Sequence, residues 1–451
     1  MESSDARKYL SSHNVEDAIA AALSQVIKER PSNPLTALAE KLIGMGPDAA
    51  ASNDSNPLGD EELRKLEKPI VSSERAVQLA AQLFGLQVIP STLKDLDSYD
   101  DRNFYFGASP INERPQLMEP EDQHAMDAPH KGSYHYVLKV HNGVESMSPA
   151  FIECQNLAMD ALRKTSVWCP HALPALDGAS IAFAECALAS GTVRKHAVRC
   201  LPYRPGAILG NISPPTSLLC ELGRVCANVS AALIDFDHPA AHRTFIWDLA
   251  QTLSVRPLVK HLVETERREI ITSVLDEFES HVLPRARELR RCVIHGDIND
   301  QNVLISEPSA GEAFSILGII DFGDMCYSWL INEIAIAAAY AVIALHYDNG
   351  NSPDAKLPSE IEACVAMVSS YARQMATQGL ALKEAEWEVL PTLIASRIAV
   401  SLCVGAYSSS KDPANEYLKL TLLPGLKALK ALRSTPNQQL LNAMKEGKLG
   451  L

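Results

Sequence analysis

Residues 292–305 read CVIHGDINDQNVLI, and this stretch limits the possible folds more sharply than any other in the chain. A short apolar run ends in His295-Gly296-Asp297, Asn302 follows the aspartate by five residues, and a second apolar run begins at once. Such a loop between two short strands aims one carboxylate and one amide into the same space. Sixteen residues after Ile305 the run ILGIIDFGD sets Asp321 at the mouth of another strand, followed by Phe322, Gly323 and Asp324. The rest of the fold has to bring these two polar strand ends together.

An acid in one loop, an amide five residues on and a second acid at a following strand end are the groups that phosphoryl transfer requires. In this reading Asp297 accepts or orients the proton of the attacking hydroxyl, and Asn302 and Asp321 hold magnesium against the nucleotide phosphates. Magnesium prefers hard oxygen ligands and keeps several waters, so two protein ligands plus phosphate suffice. The spacing H-x-D-x-x-x-x-N and the D-F-G follow the kinase pattern. Upstream, YVLKV at 136–140 places Lys139 inside an alternating strand, in reach of the α and β phosphates. Ser148-Pro149 opens a helix by the cap-then-proline rule, and Glu153 in its first turns is the expected ion-pair partner of Lys139. No G-x-G-x-x-G precedes the lysine. Asp97 to Phe104 (DSYDDRNF) stands where a phosphate-covering turn is needed, with Ser98 and Asn103 offering side-chain contacts.

These blocks resemble the aminoglycoside phosphotransferase and choline kinase superfamily, where glycine takes the place of the protein-kinase arginine after the histidine. Within it SYDDRNF, YVLKVHN, FIECQN, FDHPAAHRTFIWDL, HGDINDQNVL, GIIDFGDM and AYSSSKDPANEYL are similar to the hydroxylysine kinase group, over about residues 67–435. The resemblance implies an α+β, bilobal protein-kinase-like fold, a small antiparallel-sheet lobe plus a large helical lobe. It makes Asp297 the base, Asn302 and Asp321 the metal ligands, Lys139 with Glu153 the phosphate-holding pair, and Arg199 to Tyr203 the hinge, whose backbone at Cys200, Leu201, Pro202 and Tyr203 reads the base. Pro202 removes one amide donor there. The co-substrate is GTP or ATP, with Mg2+. For a cationic acceptor, Asp300, Asp324 and Glu333 are candidate acids, and Trp247 and Tyr407 candidate ring faces. Choline, ethanolamine, another amino alcohol or an aminoglycoside stay open as acceptors beside hydroxylysine. A docking protein that keeps the fold as a platform also stays open, although pseudo-enzymes usually lack one of Asp297, Asn302, Asp321 or the lysine, and all four are present.

Composition divides the chain. The whole is 47% apolar and 21% charged, as in a globular protein. Its formal charge of −14 argues against nucleic acid or an anionic membrane as the main partner. Residues 67–203 mix strands with a helix near 150–162, and include an acidic, proline-broken loop over 106–133. Residues 204–451 read as mainly helical. The apolar run Ile334 to Leu345 is too short to span a bilayer and reads as a buried helix. MESSDARKYL lacks a secretory pattern, and the ten cysteines contain no C-x-x-C pair, so a cytoplasmic protein with reduced thiols is expected.

Ahead of this body, Val15, Ala18, Ile19, Ala22, Leu23, Val26 and Ile27 form one apolar helical stripe, and Leu35, Leu38, Ala39, Leu42 and Ile43 form a second after Asn33-Pro34. Two such short helices are marginal alone in water and need a partner. KYL, the amphipathic helix and ERPSNPLTALAEKL resemble the RIIa-like, dumpy-thirty type dimerisation and docking motif. That implies a homodimeric four-helix bundle through residues 1–46, and a groove for an amphipathic helix of an anchoring partner in a cytoskeletal or flagellar structure. Residues 47–66 are small and polar and read as a linker.

Overall fold

A computed structural model describes residues 63–98, 100–111, 134–307, 312–347, 357–411 and 422–447. The helices expected within 1–46, most of the linker and most of the acidic loop lie outside these residues.

The first described helix, α1 (Ser73–Phe84), starts where the Ser72 side chain accepts from the Arg75 amide and stops at Gly85, whose φ of 65° suits glycine. It buries Ala76, Leu79, Ala80 and Phe84 against a curled antiparallel sheet. The strands are β1 (Leu86–Val88), β2 (Lys94–Leu96), β3 (Arg102–Pro110), β4 (Tyr134–Val140), β5 (Ala182–Ala187) and β6 (Val193–Pro202). They pair in the order β1-β3-β4-β6-β5, with β2 on β3. Between β4 and β5 lie the single turn α2 (Gly143–Ser146) and the helix α3 (Pro149–Leu162). The segment read as acidic loop from residue 106 enters the sheet instead. Phe106 is fully buried in β3 opposite Tyr136, and pairing continues to Ala108 opposite Tyr134.

Alternation in β4 decides which way the lysine faces. Tyr136, Leu138 and Val140 are buried on the α1 side, so Lys139 lies on the other face. A one-residue slip would expose these three apolar side chains, at about 1.5–3 kcal/mol each, and drive the ammonium into the core. The register therefore places Lys139 opposite Asn103 on β3 and Arg199 on β6.

After β6 come β7 (Ala207–Ile208) and the helical region, α4 (Thr216–Ala232) and α5 (Thr265–Glu277). Four short strands interrupt it: β8 (Arg291–Ile294), β9 (Val303–Ile305), β10 (Ile316–Ile319) and β11 (Cys326–Trp329). β8 pairs with β11, and β9 lies between β10 and β7. The expected loop with Asp297 and Asn302 thus runs from β8 to β9, and the D-F-G turn runs from β10 to β11. The remaining helices are α6 (Asn332–Ala344), α7 (Glu360–Thr377), α8 (Glu384–Lys411), α9 (Leu422–Arg433) and α10 (Asn437–Glu446). Every residue of α6 is buried, as expected of its apolar run. By length and hydropathy α8 could cross a membrane, but it too is largely buried within the fold. The ten cysteines are free thiols, nine of them buried.

Candidate active site

The loop after β8 is held from below by one acid. Glu333, at the start of α6, is fully buried and accepts from the His295 amide at 2.7 Å and the Gly296 amide at 3.2 Å. Burial pushes its carboxyl up to about 7 against the pull of these two amides. Gly296 has φ 77°, and a Cβ there would stand 2.7 Å from the Asp324 carbonyl oxygen, so only glycine lets the two loops approach. The His295 ring packs edge-on against Phe322 at 4.6 Å, and burial pushes its pKa down to about 4, which keeps the imidazole neutral.

This scaffold presents Asp297, whose carboxylate is gripped from several sides. Oδ2 accepts from Asn302 Nδ2 at 2.8 Å and Asn299 Nδ2 at 2.9 Å, and Oδ1 accepts from Arg397 Nη2 at 2.9 Å. Arg397 is only 1% exposed. Its guanidinium lies 5.1 Å from the Trp247 ring and 5.2 Å from the Tyr340 ring, and donates to the Trp247 carbonyl at 2.7 Å. Burial and the neighbouring Asp324 carboxylate push the Asp297 pKa up, and Arg397 opposes them. Arg397 reaches the site on α8, whose first turn is anchored next to β8 by paired bonds from Arg290 to Glu386 at 2.7 and 2.6 Å.

Asp321 begins the second loop in a left-handed conformation, φ 63°, unlike any other non-glycine among the described residues. Aspartate tolerates this region better than most residues but still at a cost of about 1–3 kcal/mol, the kind of strain that gathers where a side chain has to be aimed. Its carboxylate, 48% exposed, accepts from Lys139 Nζ at 3.4 Å and from the Gly323 amide at 3.2 Å. The lysine holds the Asp321 carboxyl below its usual range. The Ile320 amide donates to the Asn302 carbonyl at 2.9 Å, so the two proposed metal ligands hang from bonded backbone. Arg243, flanked by the Phe151 and Phe245 rings at 4.0 Å each, donates to the Gly323 and Met325 carbonyls and clamps the turn.

Lys139 does not meet Glu153. The buried face of α3 is Phe151, Ile152, Cys154, Gln155, Asn156, Ala158, Met159 and Leu162, which turns Glu153 to solvent. The lysine pairs with Asp101 at 2.9 Å, and Glu145 of α2 adds to the acidic field around it. Burial alone would lower the Lys139 pKa, but Asp101, Asp321 and Glu145 hold it above its ordinary value. Glu145 in turn accepts from His141 Nδ1 at 2.7 Å. Arg199 Nε donates to His141 Nε2 at 3.0 Å, which leaves the ring proton on Nδ1.

Several other expected contacts are redirected. The Tyr203 amide donates to the His135 carbonyl and the Cys200 carbonyl accepts from Leu173, so these hinge groups are spent on the protein; Leu201 and Pro202 pair across to Val137 and Tyr136. Ser98 braces its own turn, accepting from the Asp101 amide at 3.2 Å, whereas Asn103 lies beside Lys139 with its buried Oδ1 unpartnered. Asp300 is buried, bonded to Gln301 Nε2 and Tyr347 and close against Gly210, and Glu333 is committed to loop amides. Both carboxylates are thus committed to protein groups. Asp324 lies 4.0 Å from Arg243 and electrostatically close to Asp297, so it stays a candidate. Trp247 backs the site through Arg397. Tyr407, ten residues further along α8 and hence about 15 Å from Arg397, stacks edge-on with His261 instead.

Arg397, Glu145, Asp101 and Arg243 were not singled out from the sequence. A lone cation inside LIASRIAVSLCVGA was a usable signal for Arg397, because an arginine in so apolar a helix has to have a partner. Glu145 lies four residues after His141, a helical spacing too common to stand out.

The phosphotransferase enzyme family matches residues 125–349. A hydroxylysine kinase of Xenopus laevis is 30% identical over 375 residues, spanning 81% of this chain and 90% of that protein. One of Mus musculus is 30% identical over 373 residues, spanning 81% and 90%. Among solved structures, an amicoumacin kinase in complex with AMP-PNP and Ca2+ has the same fold, with a TM-score of 0.54 at 14% identity, over 84% of this chain and 97% of that one. A strand lysine, a loop aspartate with its asparagine and a D-F-G turn on this curled sheet and helical region agree with those likenesses, and the chain belongs to the phosphotransferase enzyme family, as an enzyme that phosphorylates an alcohol group of a small molecule.

Proposed function

We propose that the enzyme transfers the γ-phosphoryl group of GTP or ATP to the hydroxyl of hydroxylysine, with Asp297 as the base. The observation that carries this reading is the Asp297 carboxylate, held at 2.8–2.9 Å by Asn302, Asn299 and Arg397 beside a D-F-G aspartate that meets Lys139. A carboxylate fixed this way can take the proton of a hydroxyl brought within hydrogen-bond reach. The extent of the likeness to proteins named hydroxylysine kinase, about 90% of their length, supports that acceptor.

Asn302 and Asp321 offer an amide oxygen and a carboxylate, a donor set that suits Mg2+. Asn302 donates through Nδ2 to Asp297, so its carbonyl oxygen is the atom left for a cation. Bound there, the metal would neutralise charge on the transferring phosphate, while Lys139 steadies the other phosphates and Asp297 directs the acceptor. The transfer is in line, with no covalent enzyme intermediate. Asp324 is the acid that would meet the acceptor amine.

The two apolar stripes within residues 1–46 support a homodimer, and the resemblance to the RIIa-like motif supports a groove for an anchoring helix that would tether a cytoplasmic protein to a cytoskeletal or flagellar structure. Sedimentation of the full chain and of a chain with Leu35 and Leu38 changed to aspartate tests this, since a dimer held elsewhere would be unaffected. For the activity, the purified enzyme is assayed for magnesium-dependent consumption of GTP and of ATP with hydroxylysine, ethanolamine, choline and an aminoglycoside. Turnover confined to hydroxylysine is expected. Turnover with another acceptor, and none with hydroxylysine, would reject it.

A further inference from the structure

The segment read as linker ends in a side chain that reaches the nucleotide end of the site. Arg64 donates through Nε to Asp100 at 2.5 Å and through Nη2 to Glu145 at 2.9 Å, and is 21% exposed. Asp100 belongs to the turn between β2 and β3, where a phosphate-covering turn is expected, and Glu145 contributes to the acidic field around Lys139. One guanidinium therefore bridges that turn to α2. The neighbouring residues repeat the attachment. Lys68 Nζ donates to the Ser98 carbonyl in the same turn at 2.6 Å, and the Glu67 carbonyl accepts from the Gly143 amide at the start of α2 at 2.9 Å. At Gly143 a Cβ would stand 2.2 Å from Glu67 Oε2, so this strap lies against α2 as closely as glycine permits.

The charges give the bridge its purpose. Asp100, Asp101 and Glu145 are buried together, with Lys139 and Arg64 as the cations paired to them. Asp101 is pinned by the Asn142 amide at 2.8 Å and stays on Lys139. Glu145 is shared, because its Oε2 takes His141 while its Oε1 takes Arg64. Without Arg64, that oxygen and Asp100 lose their hydrogen-bonded cation; Lys139 and Arg199 are the buried cations left in the field of Glu145, and Lys68 the one left near Asp100. Lys139 would be drawn back from Asp321 and from any phosphate, while the turn would lose its tie to α2.

We propose that Arg64 is a positioning residue for nucleotide binding, which holds Asp100 and keeps Glu145 occupied so that Lys139 faces the phosphates. The proposal rests on the reading of Lys139 as the phosphate-holding lysine. It also makes residues 64–68 part of the site.

The test uses the full chain with Arg64→Met, Arg64→Lys and Lys139→Met, and measures Mg-nucleotide Kd by calorimetry, the KM for the acceptor, and Tm. Loss of two charge-assisted hydrogen bonds should raise the nucleotide Kd of Arg64→Met roughly tenfold or more, with acceptor KM nearly unchanged and Tm lowered, because Asp100 and Glu145 stay buried without their cation. Arg64→Lys should recover only part of the loss, because one ammonium cannot span both carboxylates as the planar fork does. Asp100→Asn, which removes one end of the bridge, should give an intermediate loss and answers the question if Arg64→Met does not fold. Weakened nucleotide binding in Lys139→Met but not in the Arg64 and Asp100 variants would overturn the role of Arg64 alone. An acceptor KM that worsens in step with the nucleotide Kd would reduce Arg64 to a structural tie. Unchanged affinity in Lys139→Met would overturn the reading of the nucleotide end, and this inference with it.

Discussion

Replacing Arg397 by methionine removes the cation from Asp297 while keeping most of the volume packed between Trp247 and Tyr340. The lost contact is a charge-assisted bond of 2.9 Å from a side chain 1% exposed. Such a bond contributes about 1.5–3 kcal/mol, and if all of it is expressed in the transition state, turnover falls roughly ten- to 150-fold. The methionine leaves Asn299 and Asn302 on the carboxylate, so the geometry of Asp297 survives in part and the larger effect is electrostatic. Burial and Asp324 already push the Asp297 pKa up, and Arg397 opposes them. Without it the carboxyl binds its proton more tightly. A base works only when deprotonated, so the acidic limb of the kcat/KM profile should move to higher pH, and the loss should shrink as pH rises. The assay couples release of the nucleoside diphosphate to acceptor phosphorylation, over a range of acceptor concentrations from pH 5.5 to 9, with Tm recorded at each pH. A loss constant across that range, or a profile whose acidic limb does not move, would refute the reasoning.

Three further outcomes follow from the same geometry. Glu153→Ala should leave turnover and Tm unchanged, because the side chain is exposed, whereas Glu145→Gln should weaken nucleotide binding; the reverse result in a nucleotide titration would restore the sequence-based pairing. Gly296→Ala should lower Tm and turnover together, since φ 77° and the Asp324 carbonyl at 2.7 Å both oppose a Cβ, by about 1–3 kcal/mol in a denaturant melt. Glu333 carries a pH signature. Its pKa is raised by burial from 4.5 to about 7, so the folded state binds the proton more tightly. No stability is lost below pH 4.5. The loss then grows as pH rises to about 7 and stays constant above, of order 3 kcal/mol if the shift is fully expressed. Melts of wild type and Glu333→Gln between pH 4.5 and 8 check this, because only the wild type should show that decline.

What could be read in the sequence was what acts within one strand-loop-strand unit. Asp297 with Asn302, Asp321 after β10, and Lys139 in an alternating strand all have their spacing written locally, and the structure brings them together. The buried helix at 332–344 was legible for the same reason, since its apolar run needs no partner to be recognised. Glu153 misled because the expectation rested on the order of motifs, while a helix turns 100° per residue and packing alone decided which face met the sheet. Arg397 lies a hundred residues from Asp297, and Arg64 and Glu145 are separated by 81, so no spacing rule connects them. Charged partners found across such distances become visible only once the core is packed. The acids offered for the acceptor fared unevenly on the same principle. Glu333 and Asp300 are as eligible as Asp324 in sequence, but their carboxylates are spent on the loop amides and on Gln301.

The most direct measurement compares Asp297→Asn with wild type for magnesium-dependent phosphorylation of hydroxylysine and, in parallel, for nucleotide affinity. Asparagine keeps the size of the side chain and an oxygen for Arg397 but cannot take a proton. Turnover reduced by roughly 10²–10⁴ with nucleotide Kd nearly unchanged is the expected result. Wild-type turnover in the variant, or an equal loss of nucleotide affinity, would contradict the role assigned to Asp297.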